Sequence, residues 1–259
     1  MPLRLLLVRH GQSEGNLMED DPVLAEKLKD VPNNELRLTK EGVRQAQAAG
    51  DWIRNYLAED KSFAGRTEGF VSTFVRAKET AGHLKLGVDW RFSPFIVERD
   101  WGHFEQLSEE EQKRYKAGKK RNPLYTTMPN GQSLSSLLVG NYLFFGMLHR
   151  EHSENRVVAV CHGERLLTVR YLLERMTDKK FGELIRSRHV GDRVRNCQVV
   201  EYSRINPING DVQRRYQWMR SFCPWDLREK DLAWKQIFRS KLTDSALLQY
   251  TDEFPRYAE

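Results

Sequence analysis

Long apolar runs are missing from these 259 residues. No stretch approaches the roughly 18 consecutive apolar residues of a membrane-spanning helix, so no membrane partner is expected. Cysteine is scarce: Cys161, Cys197 and Cys223 are far apart and odd in number. They offer neither a disulfide framework nor zinc-type spacing, and a reducing, cytoplasmic setting is the expectation. Internal repeats and low-complexity linkers are absent, so residues 1–259 read as a single domain. No RNA- or DNA-binding module is present. The net charge of +6 helps steer anionic ligands without requiring a nucleic acid, and no nucleic-acid partner is expected. The opening MPLRLLLVRHG has too short an apolar stretch for a secretory signal and reads as a buried strand.

Apolar periodicity places the elements. Leu3 to Val8, Phe70 to Thr73 and Val157 to Cys161 are short buried-strand runs,. Between 18 and 36 the chain reads as an exposed connection with one short helix. Thr39 is a candidate N-cap for an amphipathic helix running to about Leu57 through Val43, Ala46 and Ile53,. Further helices are expected over Arg76–Leu84, Gln132–Arg150 and Glu164–Met176. Asn196 to Tyr202 and roughly Val212 to Trp218 read as a closing pair of strands joined by the Asn209-Gly210 turn,. The tail 224–259 carries Trp225, Leu227, Leu232, Trp234, Ile237 and Phe238 and reads as a packed helix. Strands alternating with helices predict an α/β fold, a mostly parallel central sheet with helices on both faces.

Three strand ends carry unusual residues. The first leads into Arg9-His10-Gly11, the second towards Arg76, the third into His162-Gly163-Glu164. Ligands of open α/β sheets bind beyond the carboxyl ends of the strands, so two arginines and two histidines converge where a site belongs. Guanidiniums grip tetrahedral dianions through paired hydrogen bonds. Imidazole is a competent nucleophile when neutral.

Arg9-His10-Gly11-Gln12-Ser13-Glu14-Gly15-Asn16 resembles the RHGxSxxN signature of the histidine phosphatase (phosphoglycerate-mutase-like) superfamily, phosphatase-type branch 1. Leu38-Thr39-Lys40-Glu41-Gly42, Gln45-Ala46, Ser72, Arg76-Ala77, Glu79-Thr80-Ala81, Glu98-Arg99-Asp100-Trp101-Gly102, Gly131-Gln132-Ser133 and Cys161-His162-Gly163-Glu164 follow in that family's order. The motifs fall within about 3–202. The resemblance implies a three-layer sandwich and a catalytic pair: His10 as the phosphorylated nucleophile, Glu98 as general acid and base. It implies Arg9, Asn16, Arg76 and His162 as phosphate-binding residues, with no cofactor and no metal. Thr73 stands where the family often has proline, and Gln132 where it usually has glutamate.

The expected function is metal-independent hydrolysis of a phosphomonoester, on a small molecule or a phosphoprotein. Sixty-four positions separate Glu98 from His162, whereas the family's cofactor-dependent mutases carry a longer insertion there. Mutase-type phosphoryl transfer and a non-catalytic phosphate-binding scaffold remain the alternatives. The basic run Lys113-Arg114-Tyr115-Lys116, then Lys119-Lys120-Arg121, reads as a solvated loop, or as a lid contacting a second anionic group,. His149 and His152 read as a charged helix end rather than a metal site. His103 is either a pocket or a surface residue.

Overall fold

The computed structural model describes residues 1–18, 20–60, 65–102, 104–187, 192–226, 232–239 and 241–258; His103 and Leu227 lie outside them. Seven strands form one sheet: β1 (Arg4–Arg9), β2 (Thr67–Ser72), β3 (Trp90–Ser93), β4 (Arg156–Cys161), β5 (Val199–Ser203), β6 (Trp218–Phe222) and β7 (Lys235–Gln236). Their order is β3-β2-β4-β1-β5-β6-β7. The first four in that order run parallel, and β5, β6 and β7 extend the sheet antiparallel. The helices are α1 (Glu14–Met18), α2 (Pro22–Leu28), α3 (Lys40–Glu59), α4 (Val75–Leu84), α5 (Glu109–Arg121), α6 (Leu134–Glu151), α7 (Gly163–Glu174), α8 (Asp178–Arg186) and α9 (Asp244–Thr251). Among the described residues no helix is long and apolar enough to cross a membrane.

The layers follow from strand alternation. Leu5, Leu7, Val157 and Ala159 face α6 and α7 through Phe144, Phe145, Leu148, Leu166 and Val169. Leu6, Val8, Val158 and Val160 face α3 and α4 through Ala46, Ala49, Ile53, Ala77 and Leu84. With both faces covered, nearly every residue of β1 and β4 is buried, each aliphatic side chain contributing about 1.5–3 kcal/mol. Thr39 caps α3 as expected, accepting from Gly42 N. The predicted parallel strands and the helices α3, α4, α6 and α7 stand within a few residues of their expected bounds.

Three expectations need correction. The closing strand is Trp218–Phe222, not Val212–Trp218. The Asn209-Gly210 turn forms, with an isolated bridge between Ile205 and Val212. The ladder nevertheless resumes only where Met219 and Phe222 can be buried, while Val212 is left exposed, because burial sets register. The tail is not a packed helix. Lys235–Gln236 adds a strand to β6, Ile237 enters the core, and Trp234 lies 4.5 Å from the Arg220 guanidinium. Pairing with an open sheet edge satisfies backbone groups that a helix would have paired internally; α9 follows with no buried residue. The basic run is no loop but the second half of α5. Ser108 and Glu111 form a capping box, and acidic first and basic last turns complement the helix dipole,.

Candidate active site

Cα register puts Arg9 opposite Cys161, and His10 N donates to Cys161 O over 3.0 Å. The residues one step beyond these two strand ends are therefore neighbours. The His10 and His162 rings lie 5.1 Å apart, edge to face, both buried. Arg76, in the first turn of α4, enters from the end of β2. Its Nε donates to His10 Nε2 over 3.2 Å, while Nη1 donates to Asn33 O over 2.5 Å. Glu98 follows β3 and a 3-10 turn at Pro94–Ile96, and its Oε2 lies 3.9 Å from His162 Nδ1. The other His162 nitrogen, Nε2, pairs with Ser72 Oγ over 2.7 Å. Two helices, α4 and α7, begin here, adding the partial positive charge of their N-termini,.

The loop carrying His10 is held by residues that matched the motif order. Gly11 N donates to Thr80 Oγ1 over 3.0 Å, and Gln12 N to Gln45 Oε1 over 2.9 Å. Gly42 lets α3 meet this loop backbone to backbone: a Cβ there would stand 2.0 Å from Gln12 O. His10 Nδ1 lies 2.7 Å from Gly11 O. A carbonyl can only accept, so Nδ1 carries the proton and Nε2 keeps its lone pair.

Burial, then Arg9 and Arg76, hold the His10 imidazole well below its usual range and therefore neutral. Burial, His10 and neighbouring arginines do the same to His162. Glu98 is pushed the other way, first by burial and then by the Glu164 carboxylate, so its acid form extends to higher pH than in a free glutamate,. Arg76 is lowered to about 10, mainly by burial. Burial pushes the Cys161 thiol up to about 12, which suits a packed strand end rather than a nucleophile,.

All the expected site residues reach this edge of the sheet, though not equally. His10, Arg76, Glu98 and His162 form the centre. Arg9 lies alongside: Gly163 leaves room for its guanidinium, with Nε 3.2 Å from where a Cβ would be, and Nη1 donates to Val194 O over 2.7 Å. Asn16 is held in place through its Oδ1, which accepts from Ser13 N and from Asn196 Nδ2. Gln132 Oε1 accepts from Asp100 N over 3.2 Å, a role a glutamate oxygen would fill equally.

Asn196 was not singled out in the sequence, yet its Nδ2 also donates to His10 O over 3.2 Å. Phe74 was missed as well; its ring lies 5.0 Å from that of His162 and 4.9 Å from the Arg76 guanidinium. Its place just after a site-bearing strand was the available signal. A cavity of about 510 Å³ is lined by Arg9, Gln12, Arg193, Asn196 and Trp225, among others, but by neither histidine.

Ligand atoms of His10, Glu98 and His162 all lie within 4.8 Å of one another, a spacing that could hold a small cation. The arginine charges that repel a proton from His10 would repel such an ion too,. His149 and His152 take structural parts. His149 Nδ1 meets the N-terminal ammonium over 2.7 Å, and His152 packs against Phe70.

An open α/β sheet with two histidines, two arginines and a carboxyl group at the carboxyl ends of its parallel strands has its ligand-binding edge lined by groups suited to a tetrahedral anion. The family model for the histidine phosphatase superfamily (branch 1) matches residues 5–205, and the chain belongs to that superfamily. Its relatives include mutase-like proteins. The chain is 27% identical over 164 residues to the phosphoglycerate mutase-like protein AT74 of Arabidopsis thaliana, covering 61% of this chain and 50% of that one. The match thus spans half the length of that relative. Against a 2,3-bisphosphoglycerate-dependent phosphoglycerate mutase of Methylorubrum populi it is 27% identical over 187 residues, 70% of this chain and 83% of the other. Solved structures with the same fold include a mycobacterial glucosyl-3-phosphoglycerate phosphatase (TM-score 0.58, 16% identity, 82% and 96% covered). Another is a phosphoserine phosphatase from Entamoeba histolytica, in complex with 3-phosphoglyceric acid (TM-score 0.54, 19% identity, 86% and 99% covered).

Proposed function

We propose that this protein hydrolyses small phosphomonoesters without a metal, through a phosphohistidine on His10. The observation that carries the reading is the state of His10: Nδ1–H is tied to Gly11 O, so the lone pair is on Nε2, beside Arg76. In the first step Nε2 attacks phosphorus and the ester P–O bond breaks. The departing oxygen takes the proton of Glu98, whose raised pKa keeps that proton available,. Arg9, Asn16, Arg76 and His162 bind the phosphoryl oxygens, and the cations offset the charge that develops on them. In the second step the Glu98 carboxylate takes a proton from water as that water attacks phospho-His10. The P–N bond breaks, its electron pair returns to Nε2, and inorganic phosphate leaves.

Relatives named as mutases keep phosphoryl transfer to an acceptor in view as a second reading. Hydrolysis is favoured by the short span from Glu98 to His162. The names of the solved neighbours, two phosphatases of small phosphorylated acids, favour a small-molecule substrate.

The test is p-nitrophenyl phosphate hydrolysis with chelator present, wild type against His10→Ala, with quenching in alkaline detergent to trap the phosphoenzyme and acid treatment of a portion to test its lability. Turnover that vanishes in the variant, with an acid-labile adduct in the wild type, supports the proposal. Turnover that survives in His10→Ala sinks it. An adduct that persists for hours without an acceptor favours the mutase reading.

A further inference from the structure

Glu98 stands in irregular chain between a 3-10 turn and Trp101, with no helix or strand to hold it. Both residues beside it are nevertheless gripped from the first turn of α7. On one side, buried Arg165 directs Nε (3.0 Å) and Nη2 (2.7 Å) at a single acceptor, Val97 O. The same guanidinium reaches Leu137 O over 2.7 Å and Asn141 Oδ1 over 3.3 Å through Nη1. On the other side, Arg99 is 1% exposed and forks onto Glu164. Its Nε lies 2.6 Å from Oε2, and its Nη2 donates to Oε1 over 3.0 Å. Lys119 of α5 adds a contact to Glu164 Oε1 at 3.3 Å. Arg99 and Lys119 also lie 4.0 and 4.8 Å from the Trp101 ring.

The grips come from consecutive residues, two and three positions after His162, which caps the same helix. They act on the residues immediately before and after Glu98. His162 and the Glu98 backbone are thereby joined into one rigid unit.

We infer that Glu164 and Arg165 are positioning residues that fix the Glu98 carboxyl over the leaving oxygen, Glu164 through Arg99 and Arg165 through Val97 O. This rests on the proposed role of Glu98 as proton donor. A displacement of about 1 Å in a reacting group can cost about a hundredfold in rate, so loosening either grip slows the step that needs the proton. Lys119 ties α5 to Glu164 in this arrangement.

The experiment compares esters that differ in their need for a proton: p-nitrophenyl phosphate, whose phenolate leaves readily, and β-glycerophosphate, whose alkoxide does not. Single-turnover phosphorylation is measured for Glu98→Gln, Glu164→Gln and Arg165→Lys, and for each of the last two combined with Glu98→Gln. Thermal melting confirms folding, and Arg165→Lys carries the comparison alone if Glu164→Gln does not fold. Glu98→Gln is expected to lose about a hundredfold or more on the glycerol ester and much less on the aryl ester. Each positioning variant is expected to show the same bias to a smaller degree, and to add nothing in the Glu98→Gln background. Equal losses on both esters, or losses that add in full to Glu98→Gln, would overturn the inference and leave Glu164 and Arg165 as supports of the fold. A Glu98→Gln variant without bias overturns the acid role itself, and the inference with it. That outcome is read from the single variant, independently of the other two.

Discussion

Arg76 holds His10 and Asn33 together, Nε donating to the imidazole at 3.2 Å and Nη1 to the Asn33 carbonyl at 2.5 Å. On the proposed mechanism, a phosphoryl group arriving at His10 Nε2 draws the guanidinium off the ring and onto its own oxygens. Lysine keeps the charge but cannot span both partners. Arg76→Lys is therefore expected to lower kcat about 10²- to 10³-fold and to weaken inhibition by inorganic phosphate. Steady-state kinetics with phosphate as inhibitor check this, and an unchanged kcat would exclude Arg76 from the transition state.

With His10 and Glu98 in their proposed roles, the activity profile should be bounded by two displaced groups. His10 must be neutral to attack, and its pKa is depressed, so activity falls only well to the acid side of the ordinary histidine value. Glu98 must be protonated to donate, and its pKa is raised, so activity falls on the alkaline side as that proton leaves. The logarithm of kcat/KM against pH is expected to lose its alkaline limb in Glu98→Gln and keep the acid one. Retention of the alkaline limb would assign it to another group.

Glu98 also bears on stability, with a definite sign. A folded pKa above the unfolded one means the native state binds more protons between the two. The stability this gives is present below the unfolded value and lost as pH rises through the folded one,. Above that window a carboxylate is held in a buried site beside Glu164. Glu98→Gln is expected to raise the melting temperature at pH 8, by about 2–4 °C for each kcal/mol relieved, and to give no gain near pH 4. His10 and His162 have lowered values, so their contribution falls away as pH drops below 6.5. Melting curves across pH test both signs.

The contact between Gly42 and Gln12 leaves no room for a methyl group. Gly42→Ala places a Cβ 2.0 Å from a carbonyl oxygen. It is expected to cost about 1–3 kcal/mol and, by displacing the His10 loop, to reduce turnover. Gly82→Ala is the control: nothing lies within 4 Å of its added Cβ, and in the interior of α4 it should stabilise by about 0.5–1 kcal/mol. Urea midpoints of the two variants should move in opposite directions.

Asn196→Asp reverses a donor. The amide serves His10 O and Asn16 Oδ1, and a carboxylate there would face two acceptors. A loss of about 1–3 kcal/mol in stability is expected, together with a lower kcat/KM. Unchanged stability and activity would show that the Asn196 amide is dispensable.

His10, His162 and Arg76 were legible because each follows a short buried run, whereas Glu98 follows a mostly exposed strand and was placed by the resemblance. Arg9-His10 comes directly after Val8, and His162 directly after Cys161. Arg76 could be placed because Phe70 to Thr73 already reads as a strand. Asn196 and Arg165 were not legible, since their importance lies in carbonyls more than a hundred or about seventy positions away. Nothing local distinguishes Arg165 from a solvated arginine. The tail misled because Trp234, Ile237 and Phe238 recur at helical spacing. Arg220 and the free edge of β6 decide their conformation instead, a case of tertiary contact overriding pattern. The basic run was misread for lack of an apolar stripe, although Ser108 and Glu111 carried a helix-start signal.

The place of β1 in the sheet orders the birth of the molecule. It is flanked by β4 and β5, with Leu5 opposite Val157 and Tyr202, so the strand leading to His10 has no partner until more than 150 further residues have been synthesised. Pairings of such sequence separation are slow to form, and until then Leu5, Leu6, Leu7 and Val8 are an unpaired apolar segment of the kind that chaperones bind. His10, at the end of this strand, is therefore seated only after segments made much later in synthesis have arrived.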